Sequence, residues 1–148
     1  MRRLFYATLS LLLLACVSHA VTAAEGQLLK VQMNSVLLSN FWRQPTSVDA
    51  EILLPNDYYK QSKRHFPTIY VVHAFKGSDR IGFDTMLRWQ RAQRAMHAEY
   101  IIVFLEANIN GGHHVFADSQ NYGPWGTALT SEFIPSTELH FRTIADAK

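Results

Sequence analysis

His73 closes an apolar run, "TIYVVH" from Thr68, and the chain then passes at once into "AFKGS", small and flexible residues ending at Ser78. Buried parallel strands in α/β enzymes deliver chemistry at their carboxyl ends, so a histidine and an open turn at that point mark a candidate site. A second group of chemically active types is His113, His114 and Asp118. These residues ligate metals elsewhere, but adjacent histidines on an extended loop point apart and a metal needs three or four convergent ligands. Gly111 and Gly112 lack the spacing and the following lysine of a phosphate cradle. No metal and no cofactor is expected. Two serines, Ser78 and Ser119, are candidate nucleophiles by type. Neither stands in the G-x-S-x-G context that strains a serine onto a strand-to-helix turn, and both read as hydrogen-bonding turn residues.

These residues need a scaffold, and the periodicity supplies one. "LLKVQMNSVLLS", Leu28 to Ser39, alternates apolar and polar positions, as does "SVDAEILLP", which Pro55 ends. With "NFWRQPT" between them as a turn, an antiparallel hairpin is expected. "TIYVVH" and "YIIVFLE", Tyr100 to Glu106, are apolar on both faces, the mark of parallel strands. Between them "FDTMLRWQRAQRAMHA" sets Met86, Trp89, Ala92, Gln93 and Met96 on one helical face and Arg88, Arg91 and Arg94 on the other. The three arginines read as a solvated face, and the strand–helix–strand order is a βαβ unit. Residues 107–125 read as one long loop, a length that is uncommon in compact domains and often functional. A helical pattern follows, with a kink at Pro135.

The amino terminus, "MRRLFYATLSLLLLACVSHAVTAA", joins Arg2 and Arg3 to a short apolar run and small residues, which predicts a signal peptide over 1–24 and export to the periplasm or medium. "LLAC" also resembles a lipoprotein box, with Cys16 as the lipidated residue. That would anchor the chain to a membrane through Cys16. Cys16 is the single cysteine, so no intramolecular disulfide forms. Of 14 Lys+Arg, Arg2 and Arg3 belong to the leader, and the remaining 12 balance 12 Asp+Glu. That balance gives no attraction to nucleic acid. With 48% hydrophobic and 12% aromatic residues, 25–148 is expected to be one globular domain.

"ILLPNDYYKQSKRHFPTIYVVHAFKGSD" is similar to the start of the esterase family of α/β hydrolases, which includes esterase D-like enzymes, feruloyl esterases, enterochelin esterases and mycolyltransferases. Leu54, Pro55, Tyr58, Phe66, Pro67, His73 and Gly77 match its pattern. Phe116 to Ser119 resemble the family's Tyr-x-Asp-Ser loop, and Glu132 to Pro135 its Glu-aliphatic-Ile-Pro helix. The resemblance implies the amino-terminal half of an α/β-hydrolase fold: an antiparallel start, then parallel strands with a βαβ crossover, without the half that carries the nucleophile elbow. It implies that the backbone N–H of Phe75, or of Ala74 beside it, is one donor of an oxyanion hole, with His73 as a positioning residue. Ala74 departs from the glycine usual there. The serine, acid and histidine of a triad are then expected beyond Lys148, and His140 is expected on a helix face without a catalytic role.

Two functions from different classes follow. One is part of an exported serine esterase acting on small-molecule or carbohydrate esters. Tyr122, Trp125 and the Asn108 to His114 loop would then line its cleft, unless Trp125 is a core anchor. The other is a non-catalytic secreted module that binds carbohydrate or acyl groups through the same aromatic loop.

Overall fold

The structure is a computed structural model and describes residues 27–75, 83–109 and 112–145. The predicted leader, Cys16, Gly77, Ser78 and Gly111 lie outside the described residues. Two strands, β1 (Leu28–Asn34) and β2 (Ser47–Leu53), pair antiparallel from Leu28↔Leu53 to Asn34↔Ser47, as their alternation predicts. Strands β3 (Thr68–Val72) and β4 (Ile101–Leu105) pair in parallel, and helix α2 (Phe83–Ala95) lies between them in the chain. The βαβ unit is therefore present. Among the described residues the sheet order is β1-β2-β4-β3. Strand β4 is buried along its whole length, whereas β3, at the sheet's margin, is half-buried and leaves Val72 exposed.

Side-chain alternation splits the core into two layers. From β4, Ile101, Val103 and Leu105 face a large cluster with Val48, Ala50 and Ile52 of β2, while Ile102 and Phe104 face Leu53, Met86 and Trp89 on the opposite side. Helix α2 covers this second face, and the other helices cover the first. Arg88, Arg91 and Arg94 are exposed, as predicted. Met96 is also exposed, contrary to the helical-face expectation, because α2 ends at Ala95 and Met96 lies in the turn beyond it.

The end of the expected first strand, Val36 to Ser39, and the start of the expected turn form instead a helix, α1 (Val36–Trp42). Ser35 stops β1: it is extended, and its Oγ accepts the Leu38 N–H at 3.1 Å, capping the helix. Glu132 reinforces this cap from far along the chain, accepting the Ser35 hydroxyl and the Leu37 N–H, the latter at 3.1 Å. Arg43 closes the helix in the left-handed conformation, φ 57°.

Residues 107–125 hold two small ribbons: β5 (Asn108–Ile109) with β6 (Gly112–His113), and β7 (Asp118–Ser119) with β8 (Gly123–Pro124). Gly123 has φ +94°, and a Cβ there would lie 2.9 Å from the Phe41 ring. Only glycine fits where α1 leans on this ribbon. A continuous helical segment then runs through α3 (Trp125–Ala128), a π turn at Leu129–Phe133 and α4 (Ile134–His140). The predicted disturbance at Pro135 takes the form of this π turn. Pro135 has no N–H to donate, and the wider turn just before it accommodates the loss.

The last described residues return to the sheet margin. Phe66 N–H donates to Arg142 O at 2.8 Å, and Ile144 N–H donates to Phe66 O at 2.9 Å. The Arg142 guanidinium donates to the backbone oxygens of Gln61 and Tyr58 and lies 3.9 Å from the Tyr58 ring centroid. Arg142 thus ties the end of the helical segment to the loop before β3.

Candidate active site

Because Val72 and Leu105 are register partners, the next residues of the two parallel strands, His73 and Glu106, leave the sheet side by side. His73 Nε2 lies 2.9 Å from Glu106 Oε1, and its Nδ1 lies 2.8 Å from Ala74 O. A carbonyl oxygen only accepts, so Nδ1 carries the proton. Nε2 has two partners of opposite sense. In neutral His73 it accepts the Ala107 N–H at 3.1 Å; in the imidazolium it donates to Glu106. Glu106 Oε1 also accepts the Asn108 N–H at 2.7 Å, which steadies the carboxylate.

The Nδ1–H bond fixes the peptide that joins Ala74 to Phe75. In a trans peptide the C=O and N–H point oppositely, so an Ala74 carbonyl drawn toward the His73 ring turns the Phe75 N–H away from it. His73 therefore orients the backbone N–H that the resemblance singled out. The Phe75 ring itself is largely exposed.

Two more histidines extend the arrangement. His113 Nε2–H donates to His73 O at 3.1 Å, and its Nδ1 accepts the Val115 N–H at 3.1 Å. The rings of His73 and His113 meet edge to face, 4.9 Å apart. His114 is buried and stacks flat on Trp125, with centroids 3.7 Å apart and planes 7° apart, while its Nδ1 accepts the Phe116 N–H. The two neighbours thus take opposite duties. Asp118, exposed, accepts the Thr127 N–H at 2.9 Å and the Thr127 hydroxyl at 2.6 Å, and this lowers its pKa. It caps α3 from the neighbouring ribbon, where Pro124 offers no side-chain cap. His113, His114 and Asp118 do not converge, and no three His, Cys, Asp or Glu side chains among the described residues are placed to hold a metal. Ser119 Oγ accepts the Asn121 N–H at 3.1 Å, a turn bond. His140 is exposed at the end of α4, its Nδ1 on Ser136 O.

Burial, and next the neighbouring His113, push the His114 pKa from 6.5 down to about 4, against a partial opposing pull from Glu106. Above pH 6.5 the ring is neutral in both folded and unfolded chains and contributes no pH dependence. As pH falls from 6.5 to about 4 the unfolded chain takes up the proton first, so stability drops, by about 3 kcal/mol in all. Denaturant midpoints measured between pH 7 and 5, where most carboxylates remain ionised, should fall in the native chain. They should fall less steeply in His114→Phe, and equal slopes would refute the assignment.

Trp125 and Tyr122, both expected at a substrate cleft, come together. Trp125 is 5% exposed and belongs to the main core, and its Nε1–H donates to Tyr122 O at 2.7 Å. Both border a pocket of about 410 Å³ with Ile109, Trp42, Gln44 and Thr46. Trp125 is thus a core anchor and a pocket wall at once. Glu106 and Trp42 were not singled out from sequence, and His113 was weighed there as a metal ligand and as part of the Asn108 to His114 loop, not as a partner of His73. Glu106 had a usable signal: it follows "IIVFL" as His73 follows "TIYVV", and pairing those strands in register sets the two residues together.

Neither a family model nor a curated protein matches the sequence. Solved structures do match. The chain superposes on a ferulic acid esterase with TM-score 0.69 and 20% identity, over 82% of this chain and 47% of that one. It superposes on the CE1 ferulic acid esterase AmCE1/Fae1A of Anaeromyces mucronatus, in complex with ferulic acid, with TM-score 0.57 and 16% identity, over 80% and 44%. An S-formylglutathione hydrolase from Agrobacterium tumefaciens gives TM-score 0.57 and 13% identity over 83% and 47%. The chain therefore has a partial α/β-hydrolase fold, as expected, and spans just under half the length of these structures. Among the described residues no helix is long and apolar enough to cross a membrane.

Proposed function

We propose that residues 25–148 are part of an exported serine-dependent hydrolase of carboxylic esters, with the Phe75 N–H as one donor of its oxyanion hole. The observation that carries this reading is the His73–Ala74 bond, which presets the direction of the Phe75 N–H at the carboxyl end of a parallel strand. An ester carbonyl attacked by serine becomes a tetrahedral oxyanion. A fixed donor aimed at that oxygen lowers the barrier by about 3 kcal/mol. The fold shared with ferulic acid esterases and an S-formylglutathione hydrolase is consistent with such chemistry.

In this reading the nucleophile is encoded downstream of Lys148. The product of the complete reading frame, treated with a fluorophosphonate and analysed by mass spectrometry, should carry one adduct on a serine of a G-x-S-x-G turn. An adduct on Ser78 or Ser119 would move the nucleophile into this chain, and no adduct would favour a non-catalytic binding module.

A further inference from the structure

The ribbon β5–β6 has two faces. Across its paired positions Asn108 and His113 share one face, and Ile109 and Gly112 share the other. His113 reaches His73 and lies 6.3 Å from the Phe75 ring. Ile109 borders the pocket of Trp42 and Trp125, and the Tyr122 hydroxyl lies 3.2 Å from where a Gly112 Cβ would stand. The pocket and the Phe75 turn are therefore on opposite sides of the ribbon. A group in this pocket is not the one whose carbonyl meets the Phe75 N–H.

The pocket's walls are fixed from outside it. Trp42 meets the Phe41 ring edge-on at 5.1 Å, and Phe41 in turn rests on Gly123. Tyr122 is held through its carbonyl by the Trp125 indole. Trp42 and Tyr122 are each 37% exposed, so both present surface to a ligand. The side-chain amide of Gln44 makes no hydrogen bond to the described residues, and Thr46 Oγ1 donates to Gln44 O at 3.1 Å, which leaves its lone pairs to accept. None of the six lining residues is charged.

We propose that this pocket is a saccharide subsite, binding one neutral sugar ring between Trp42 and Tyr122 with Gln44 on its hydroxyls. A sugar ring has apolar C–H faces that bury against aromatic rings and a rim of hydroxyls that both donate and accept, which suits an amide and a hydroxyl at the pocket edge. A free aromatic acid fits less well, since its carboxylate would find no cation here. As the alcohol portion of an ester substrate the sugar rests on the esterase reading, but as a bound ligand it does not. Failure of one is distinguishable from failure of the other because the test reads binding without catalysis.

The product of the complete reading frame is titrated with xylotetraose, cellotetraose and, separately, ferulate, none of which carries an ester to cleave, following tryptophan fluorescence and calorimetry. Saturable binding of at least one tetrasaccharide, with a Kd on the order of 1 mM or tighter, is expected. Trp42→Ala should weaken it about tenfold or more, and Gln44→Ala about three- to tenfold. Gln44 is exposed, so its variant keeps the test open if Trp42→Ala does not fold. Three results would overturn the proposal: no saturation by either tetrasaccharide, binding indifferent to both substitutions, or ferulate as the sole ligand that depends on Trp42.

Discussion

Trp125→Ala is expected to cost about 3–5 kcal/mol, the usual range for truncating a buried aromatic side chain. The indole is a member of the main core cluster, covers the His114 ring face to face and holds the Tyr122 carbonyl through Nε1–H. Its loss opens a cavity beneath the junction of the second ribbon with α3. A domain of this size has about 5–15 kcal/mol of stability to lose, so urea midpoints should shift by a large fraction of the total. The milder Trp125→Phe keeps a ring on His114 but leaves the Tyr122 oxygen without its donor, and about 1 kcal/mol beyond the cost of the smaller ring is expected. Because burial is the leading cause of the low His114 pKa, the alanine variant should also raise that pKa toward 6.5, read by NMR titration of the ring. A loss below about 1 kcal/mol with an unmoved His114 would show that the stack contributes packing of no consequence.

The same residues show where sequence reasoning succeeds and where it stops. Strands β1 to β4 and helix α2 were legible because their side chains obey one local period and bury against faces of one kind. Helix α1 was not, because the alternation through Leu29, Val31 and Met33 continues formally into Ser35 and Leu37. Ser35 satisfies a strand pattern and a helix cap equally well. The contacts that decide for the cap come from Glu132, a residue 97 positions away, and no local window contains that information. The ribbons of residues 107–125 were hidden for a related reason. Each has only two paired positions, too short for periodicity, and they are held by contacts such as Phe41 on Gly123 and Tyr122 over Gly112.

The candidate site divides along the same line. His73 and the Phe75 turn were legible from an apolar strand that ends in a histidine, a local signal. Trp42 was read as part of a turn, and its place beside Tyr122 depends on α1 being a helix anchored at both ends. A site assembled from the end of one strand and the flank of an unforeseen helix is thus half visible. The visible half is the one whose geometry the sheet itself imposes.

On the proposed esterase reading, His73→Ala, made in the product of the complete reading frame, is expected to lower kcat about a hundredfold while KM stays within roughly twofold. The reason is that a backbone donor aimed at a developing oxyanion acts on the transition state far more than on bound substrate. Without the Nδ1–H bond the Ala74–Phe75 peptide loses that restraint, and the population with Phe75 N–H aimed correctly falls. His73→Asn retains a short amide donor, and it should recover part of the loss by bonding Ala74 O again. The pH profile separates this role from proton transfer. A positioning His73 predicts native and alanine enzymes with the same pH limbs at different heights, whereas a general base at His73 predicts that the acid limb disappears in the variant. Fluorophosphonate labelling should slow in parallel with kcat, since the phosphonyl oxygen occupies the same hole. Unchanged kcat in His73→Ala, in a protein of native stability, would refute His73 as the positioning residue and remove the observation on which the Phe75 N–H was assigned to the oxyanion hole.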